Sequence, residues 1–227
     1  MMPFAAVLFD MDGVILDSMG QHALAWQEVL AGQGVRVPLS FILENEGALG
    51  VDVLRRFLEE HGAAQGLGPL EPERASAGMA RLLDQQASLY LERHAGRVRP
   101  YPGVRRVLAG LKRACVPAAL VTSSRRSLVE RCLPGEIRQG FSLVISAEDV
   151  TRHKPHPDPY LAAAFALAQD PRQCLVVENA PAGIAAATAA GATCYALCTT
   201  LPPEQLAQAQ AIFSDLERLA GHLGLLD

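Results

Sequence analysis

Two carboxylates, Asp10 and Asp12, follow directly after the apolar run Phe4–Phe9. An apolar run of this length between turn signals is typical of a strand that is buried on both faces, so both side chains are expected at its carboxyl end. Open α/β sheets bind ligands at that edge. A simple Asp-Gly turn is the alternative interpretation. A calcium loop is excluded, because the Gly and Glu that it requires later in the loop are missing.

Three later apolar runs also end in polar groups. These groups are Thr122, Ser123 and Ser124 after the second run, Lys154 after the third, and Glu178 with Asn179 after the fourth. The alternatives are structural: Ser123, Ser124 or Asn179 could cap the helix that follows each of them, and Lys154 could face solvent. The nearby His153 and His156 are expected to be surface residues, because no third metal ligand is close in sequence.

Carboxylates, a lysine and hydroxyls at one sheet edge predict phosphoryl transfer through an aspartate nucleophile, here Asp10. A carboxylate about 4 Å from a phosphate dianion is repelled by roughly 8 kcal/mol at an effective dielectric constant of about 20, so the site must supply cations. Lys154 is one. Mg²⁺, held in an oxygen cage by Asp10, Asp12 and either Glu178 or Asn179, is the second.

Asp12 is the expected acid and base of this reaction. It would protonate the departing alcohol oxygen and later deprotonate the water that cleaves the aspartyl-phosphate. Crowded acidic groups push one pKa upward, which predicts a protonated Asp12 at neutral pH.

The elements that position these residues follow from the hydrophobic periodicity. From residue 17 to residue 97 the pattern is helical, with Met19, Ala23, Trp26 and Leu30 on one face of the first helix. After residue 98, short apolar runs alternate with helices, which predicts a parallel sheet covered by helices. The expected fold is α/β: a Rossmann-like core of residues 1–16 and 98–227 with an inserted all-helical cap of residues 17–97.

The bulk composition excludes several classes of protein. The chain has 227 residues, 50% of them hydrophobic, and a formal net charge of -4, which gives no electrostatic reason to expect nucleic acid as a partner. Five cysteines without a CxxC pair argue against a disulfide framework or a structural zinc site. No signal peptide and no membrane span are expected, so a cytoplasmic location is the default. A monomer is expected, because no coiled-coil stripe is present.

The motifs together resemble those of the haloacid dehalogenase superfamily, in the subfamily with a helical cap after the first motif. They read Phe9–Val14, Val121–Ser123, Lys154–Pro155 and Val177–Asn179, in the family's order. The resemblance implies that Asp10 is nucleophile and Mg²⁺ ligand, that Asp12 binds the metal through its carbonyl, and that Thr122 and Lys154 hold the phosphoryl group. The last family motif usually ends in two carboxylates. Here the second is Asn179, so either its amide oxygen or Glu178 would ligate.

The resemblance implies a phosphatase for a small phosphorylated metabolite, such as a sugar or polyol phosphate or a compound like phosphoglycolate. Dehalogenases lack a carboxylate at the position of Asp12, because a halide leaves without a proton. The cap start is similar to that of β-phosphoglucomutases and sugar-phosphate phosphatases, so a mutase is the main alternative. Those mutases carry a cap arginine where an ungapped register places Gly50, which favours a phosphatase. A non-catalytic binding module is the third hypothesis. The expected substrate contacts are His22, Gly47, Ser123 and Ser124.

Overall fold

The structure, a computed structural model, describes residues 2–45, 57, 59–60 and 72–226. Its strands are β1 (Ala6–Phe9), β2 (Leu16–Asp17), β3 (Arg99–Pro100), β4 (Ala118–Val121), β5 (Leu143–Ile145), β6 (Cys174–Glu178), β7 (Thr193–Leu197) and β8 (Ala211–Phe213). Its helices are α1 (Met19–Gly32), α2 (Leu39–Glu44), α3 (Pro72–Leu89), α4 (Val104–Arg113), α5 (Arg126–Cys132), α6 (Gly135–Arg138), α7 (Asp158–Ala166), α8 (Pro181–Ala189) and α9 (Leu216–His222).

Six of the strands described form one parallel sheet in the order β5-β4-β1-β6-β7-β8. The chain starts at the centre with β1, builds outward through β4 and β5, and then crosses to β6 on the other side of β1. Side chains of β1, β4 and β6 are buried along the whole strand, as their continuous apolar sequences require. The strands predicted from the sequence are confirmed, with ends that shift by two residues at most.

The chain divides into two compact units, Met1–Asp17 with Arg99–Asp227, and Ser18–Val98. The bounds expected from the sequence differ from these by one residue. In the first unit, α7 and α8 bury alanine-rich faces in the core of the sheet, with Tyr160 and Ile184 as their large side chains. The short strands β2 and β3 pair antiparallel where the chain leaves and re-enters this unit. The assignment of the two units as catalytic core and cap stays a prediction.

The second unit is helical where it is described. The predicted face of α1 is confirmed, because Met19, Ala23, Trp26 and Leu30 are all buried. Three of these pack with Ile42 of α2 in one apolar cluster. Proline is well suited to the first turn of a helix, and α3 begins at Pro72 and continues after Leu89 as one π-helical turn.

Two expectations, the substrate contact at Gly47 and the register at Gly50, concern residues outside the described part of the chain. The apolar spacing of residues 53–58 also predicts a helix, and the glycines and prolines of residues 62–71 predict a loop; most of the helix and all of the loop lie outside the described residues too. Within the described residues, no helix is both long and apolar enough to span a bilayer. All five cysteines are free thiols, as expected.

Candidate active site

Strand register brings Asp10 and Glu178 side by side. Phe9 pairs with Leu120 of β4 on one side and with Val177 of β6 on the other. The next residue, Asp10, therefore leaves the sheet level with the end of both neighbours, and its N–H donates to the carbonyl of Val177 at 3.0 Å. The edge lies where the chain crosses from one half of the sheet to the other, which is the usual ligand site of open α/β sheets.

A tight turn follows Asp10 and directs Asp12 towards β4. Gly13 has a φ of 85°, a left-handed conformation that favours glycine, and its N–H donates to the carbonyl of Leu16 at 2.8 Å. The carboxylate oxygen Oδ2 of Asp12 accepts hydrogen bonds from Ser124 Oγ at 2.7 Å and from Thr122 Oγ1 at 3.4 Å. The hydroxyls after β4 therefore hold the predicted acid and base in place.

The alternative interpretation of these hydroxyls as helix caps is wrong. Helix α5 begins at Arg126 with Arg125 as its N-cap, and the N–H of Arg126 donates to the carboxylate of Glu148 at 3.0 Å. The N–H of Ser124 donates to Thr122 Oγ1 at 2.9 Å, so this amide is engaged within the loop. Ser123 is exposed beside the site.

Lys154 is buried, in contrast to the solvent-facing lysine that was its alternative interpretation. Its Nζ donates to Asp10 Oδ1 at 2.6 Å, to Glu178 Oε1 at 2.7 Å and to the carbonyl of Val121 at 3.1 Å. Burial alone lowers the pKa of Lys154, but the two carboxylates outweigh it and hold the pKa above its ordinary value. The ammonium therefore keeps its charge throughout the physiological range. Its neighbours His153 and His156 are exposed, as expected.

Glu178 is buried and all of its strong acceptor positions are engaged. Oε1 accepts from Lys154 Nζ and from the Tyr160 hydroxyl, each at 2.7 Å. Oε2 accepts from the main-chain N–H groups of Asn179 at 2.9 Å and Ala180 at 3.3 Å. Four donors around one carboxylate make Glu178 the fixed counter-ion of Lys154, since a metal could reach it only by displacing one of them.

The pKa of Asp10 is strongly raised in the folded protein, while the raised pKa expected for Asp12 stays a prediction. Burial raises the pKa of Asp10 to about 7, with Lys154 opposing the rise and Glu178 and Asp12 adding to it. The carboxyl group that changes its protonation near neutral pH is thus the predicted nucleophile. Repulsion from the two other carboxylates disfavours its charge, and a further cation would relieve that repulsion.

The oxygen atoms of the site suit a divalent cation, but they do not include three side-chain carboxylates that could surround it. Among the residues described, no three His, Cys, Asp or Glu side chains converge as metal ligands. The carboxylates of Asp10 and Glu178 pair with the ammonium of Lys154, and Asp12 lies close enough to Asp10 to raise its pKa, so these four groups carry two more negative than positive charges when all are ionised. Mg²⁺ would balance this excess, and oxygen donors are available at Asp10 and Asn179.

Asn179 does not cap a helix, in contrast to its alternative interpretation. Helix α8 begins at Pro181 with Ala180 as N-cap. The Asn179 side chain is buried and donates through Nδ2 to Thr200 Oγ1 at 3.4 Å. This contact orients the amide and leaves its oxygen as the acceptor that can meet a cation.

His22 lies in the second unit and is buried there. Its ring stacks on Tyr90 with centroids 3.9 Å apart, and its Nδ1 is 3.2 Å from Gln86 Nε2. His22 therefore packs within the helical unit. Its predicted role as a substrate contact stays a prediction, as does that of Ser123.

Sequence patterns missed two residues that shape the site, Tyr160 and Gly183. Tyr160 is fully buried on α7, with its hydroxyl on Glu178 and its ring centroid 4.9 Å from Lys154 Nζ. Gly183 lies in α8 so close to Glu178 that a Cβ there would overlap the carboxyl group. An isolated glycine inside a helical pattern was an available signal, since it often indicates a close approach.

Comparison with known proteins identifies the family. A family model for haloacid dehalogenase-like hydrolases matches residues 4–191, so the chain belongs to that family. It is 31% identical over 224 residues to validoxylamine A 7'-phosphate phosphatase of Streptomyces hygroscopicus subsp. limoneus, with 97% of this chain and 99% of that protein covered. It is 33% identical over 189 residues to fructose-1-phosphate phosphatase YqaB of Escherichia coli, with 83% and 93% covered.

A solved structure agrees with this assignment. The chain is 29% identical to a haloacid dehalogenase family hydrolase of Deinococcus radiodurans, crystallised with bound phosphate and sodium, with a TM-score of 0.72 and coverage of 100% of this chain and 99% of that one. The family and the α/β fold expected from the sequence are confirmed, and so is the expectation of a hydrolase.

Proposed function

We propose that the protein is a Mg²⁺-dependent phosphatase that hydrolyses a small sugar or polyol phosphate through a phosphorylated Asp10. The observation that carries this proposal is the pairing of Asp10 with Lys154 at 2.6 Å, beside Asp12 held by Ser124 at 2.7 Å. Two relatives support it, because one is a validoxylamine A 7'-phosphate phosphatase and the other a fructose-1-phosphate phosphatase.

Asp10 acts as the nucleophile. Its oxygen Oδ1 accepts from Lys154, which orients the carboxylate so that the other oxygen can attack phosphorus. A bond forms between Asp10 and phosphorus while the bond from phosphorus to the alcohol oxygen breaks. The positive charge of Lys154 and the Thr122 hydroxyl stabilise the phosphoryl oxygens, since a fixed charge and a fixed donor at a buried site offset developing negative charge.

Asp12 moves the protons. Protonated Asp12 gives its proton to the departing alkoxide oxygen, and the resulting carboxylate then removes a proton from the water that attacks the phosphoaspartate. The products are the free alcohol and inorganic phosphate, with Asp10 restored. The hydroxyl of Ser124, at 2.7 Å, keeps the carboxylate of Asp12 oriented during both half-reactions, which leaves the more distant Thr122 hydroxyl for the phosphoryl oxygens.

Asp10, the main-chain carbonyl of Asp12 and the amide oxygen of Asn179 would hold Mg²⁺. When bound, the metal supplies positive charge that reduces the repulsion between Asp10 and the phosphoryl group. Glu178 is left out of this ligand set, because its oxygens already accept four hydrogen bonds. The cytoplasmic location and the monomeric state expected from the sequence stay predictions.

The proposal is tested by measuring phosphate release from a panel of sugar and polyol phosphates with and without Mg²⁺. We expect activity that requires Mg²⁺ and disappears in Asp10→Asn. Full activity in that variant, or no phosphate release from any compound, would contradict the proposal. Isomerised hexose phosphate with little free phosphate, formed only with a bisphosphate primer, would instead select the mutase. Ligand binding without measurable Mg²⁺ affinity would select the non-catalytic module.

A further inference from the structure

Tyr160 is a polar side chain whose ring lies inside the apolar core. It is fully buried on α7 among aliphatic side chains of the sheet. Its hydroxyl donates to Glu178 Oε1 at 2.7 Å, which satisfies a group that would otherwise be costly to bury. Its ring centroid lies 4.9 Å from Lys154 Nζ, within the range of a cation–π contact. Tyr160 thus contacts both members of the Lys154–Glu178 ion pair.

Glu178 transmits this contact to the predicted nucleophile. The oxygen that accepts from Tyr160 also accepts from Lys154, whose Nζ is 2.6 Å from Asp10 Oδ1. The chain of contacts therefore runs from the Tyr160 hydroxyl through Glu178 and Lys154 to Asp10. If the hydroxyl is removed, Glu178 Oε1 keeps only Lys154 as a donor, so the orientation of the carboxylate towards Lys154 is less tightly restricted.

Gly183 provides the space in which Glu178 lies. A Cβ at this position would overlap Oε1 and the carboxyl carbon of Glu178. The carboxyl group cannot simply move aside, because four hydrogen bonds and full burial hold it. An alanine here would therefore displace Glu178 from Lys154, even though alanine is the better helix former.

We propose that Tyr160 is a positioning residue for Lys154, acting through Glu178 and through its own ring. Gly183 supports this arrangement, because its lack of a side chain leaves the space that the Glu178 carboxyl group occupies. This inference rests on the proposed function for its kinetic consequences. Substrate still meets the same charges when the hydroxyl is lost, whereas the transition state needs Lys154 in one exact place. The loss is therefore expected in kcat more than in KM.

Tyr160→Phe tests the proposal, because it keeps the ring and removes only the hydroxyl. Tyr195→Phe is the matched control, since Tyr195 packs against Phe4 and Phe213 away from the site. We expect kcat to fall about 10- to 100-fold in Tyr160→Phe with KM within about threefold, the scale seen for residues that orient functional groups. Equal activity of the two variants would overturn the proposal.

Glu178→Gln shows whether the effect passes through Glu178. In that background, adding Tyr160→Phe should change kcat less than about threefold, because the hydroxyl no longer has a carboxylate to orient. A loss as large as that in the wild-type background would refute the route through Glu178. Gly183→Ala should lower kcat like Tyr160→Phe, whereas Gly32→Ala, at a helical glycine with open space, should not.

A binding measurement separates this proposal from the proposed function. If the wild-type protein hydrolyses nothing, the proposed function fails. Calorimetric titration with inorganic vanadate, which mimics the five-coordinate transition state of phosphoryl transfer, in the presence of Mg²⁺ then tests the placement of Lys154 directly. We expect about tenfold weaker binding to Tyr160→Phe than to Tyr195→Phe, as for the loss of an orienting contact. Equal affinities, or no binding to the wild type, would overturn the positioning role as well.

Discussion

The raised pKa of Asp10 makes the stability of the metal-free protein depend on pH in a specific way. Burial, with Glu178 and Asp12 nearby, raises this pKa from 3.8 to about 7 in the folded protein. Between these values the folded chain binds a proton that the unfolded chain has released. The stabilisation from that proton is fully present below pH 3.8 and is lost as pH rises through about 7.

Asp10→Asn removes this dependence while it preserves the shape of the side chain. One pH unit corresponds to about 1.4 kcal/mol, so the difference between 3.8 and about 7 amounts to about 4 kcal/mol. The wild-type protein should lose up to this much free energy of unfolding, relative to Asp10→Asn, as pH rises. Histidines and other ionisable groups titrate in both proteins, so their contributions cancel in the difference between wild type and Asp10→Asn.

The assay is urea denaturation of both proteins with a chelator present, from about pH 5 to about pH 8. The difference in free energy of unfolding should shift in favour of Asp10→Asn as pH increases. Asp170→Asn is the control, because a hydrogen bond from Arg172 lowers the pKa of Asp170. Asp170 changes its charge only below the pH range of the assay. The difference in free energy of unfolding between Asp170→Asn and wild type should therefore be constant across that range. Free energies of unfolding that change in parallel with pH in wild type and Asp10→Asn would refute the argument.

Two further predictions concern Mg²⁺. Mg²⁺ binding should release about one proton near pH 6 and almost none near pH 8, because the metal replaces the proton on Asp10. Calorimetry in two buffers of different ionisation enthalpy measures the number of protons released, and a number that does not change with pH would contradict the prediction. Asn179→Ala should raise the Mg²⁺ concentration for half-maximal activity by about tenfold or more, whereas Asn179→Asp should not, since it retains a ligand oxygen. Unchanged Mg²⁺ dependence in Asn179→Ala would exclude Asn179 as a ligand.

Several features of the site were predictable because they depend on local sequence. The buried run before Asp10 and the apolar runs before Thr122 and Glu178 each form a strand of one parallel sheet. Parallel strands deliver the residues at their carboxyl ends to the same edge, so strand assignment alone brings these polar groups together. The order of the motifs along the chain then predicted the family, which is confirmed.

The partner of each polar group was not predictable in the same way. Local sequence allowed Asn179 to cap a helix and Lys154 to face solvent, and both interpretations were wrong. It also gave no indication that burial raises the pKa of Asp10 to about 7. A pKa depends on burial and on distances to charges that lie far away in sequence, and periodicity contains no information on those distances.

The sequence by itself determined the strands, the sheet edge at which they end and the types of side chain delivered there, because these follow from hydrophobic period and chain order. Only the tertiary structure decided that Glu178 serves Lys154, that Tyr160 holds Glu178 and that Gly183 admits it. These contacts join β6, α7, α8 and the loop after β5, and their existence depends on packing within a few tenths of an ångström. Close packing of distant segments is the physical reason why the complete site appears only in the folded chain.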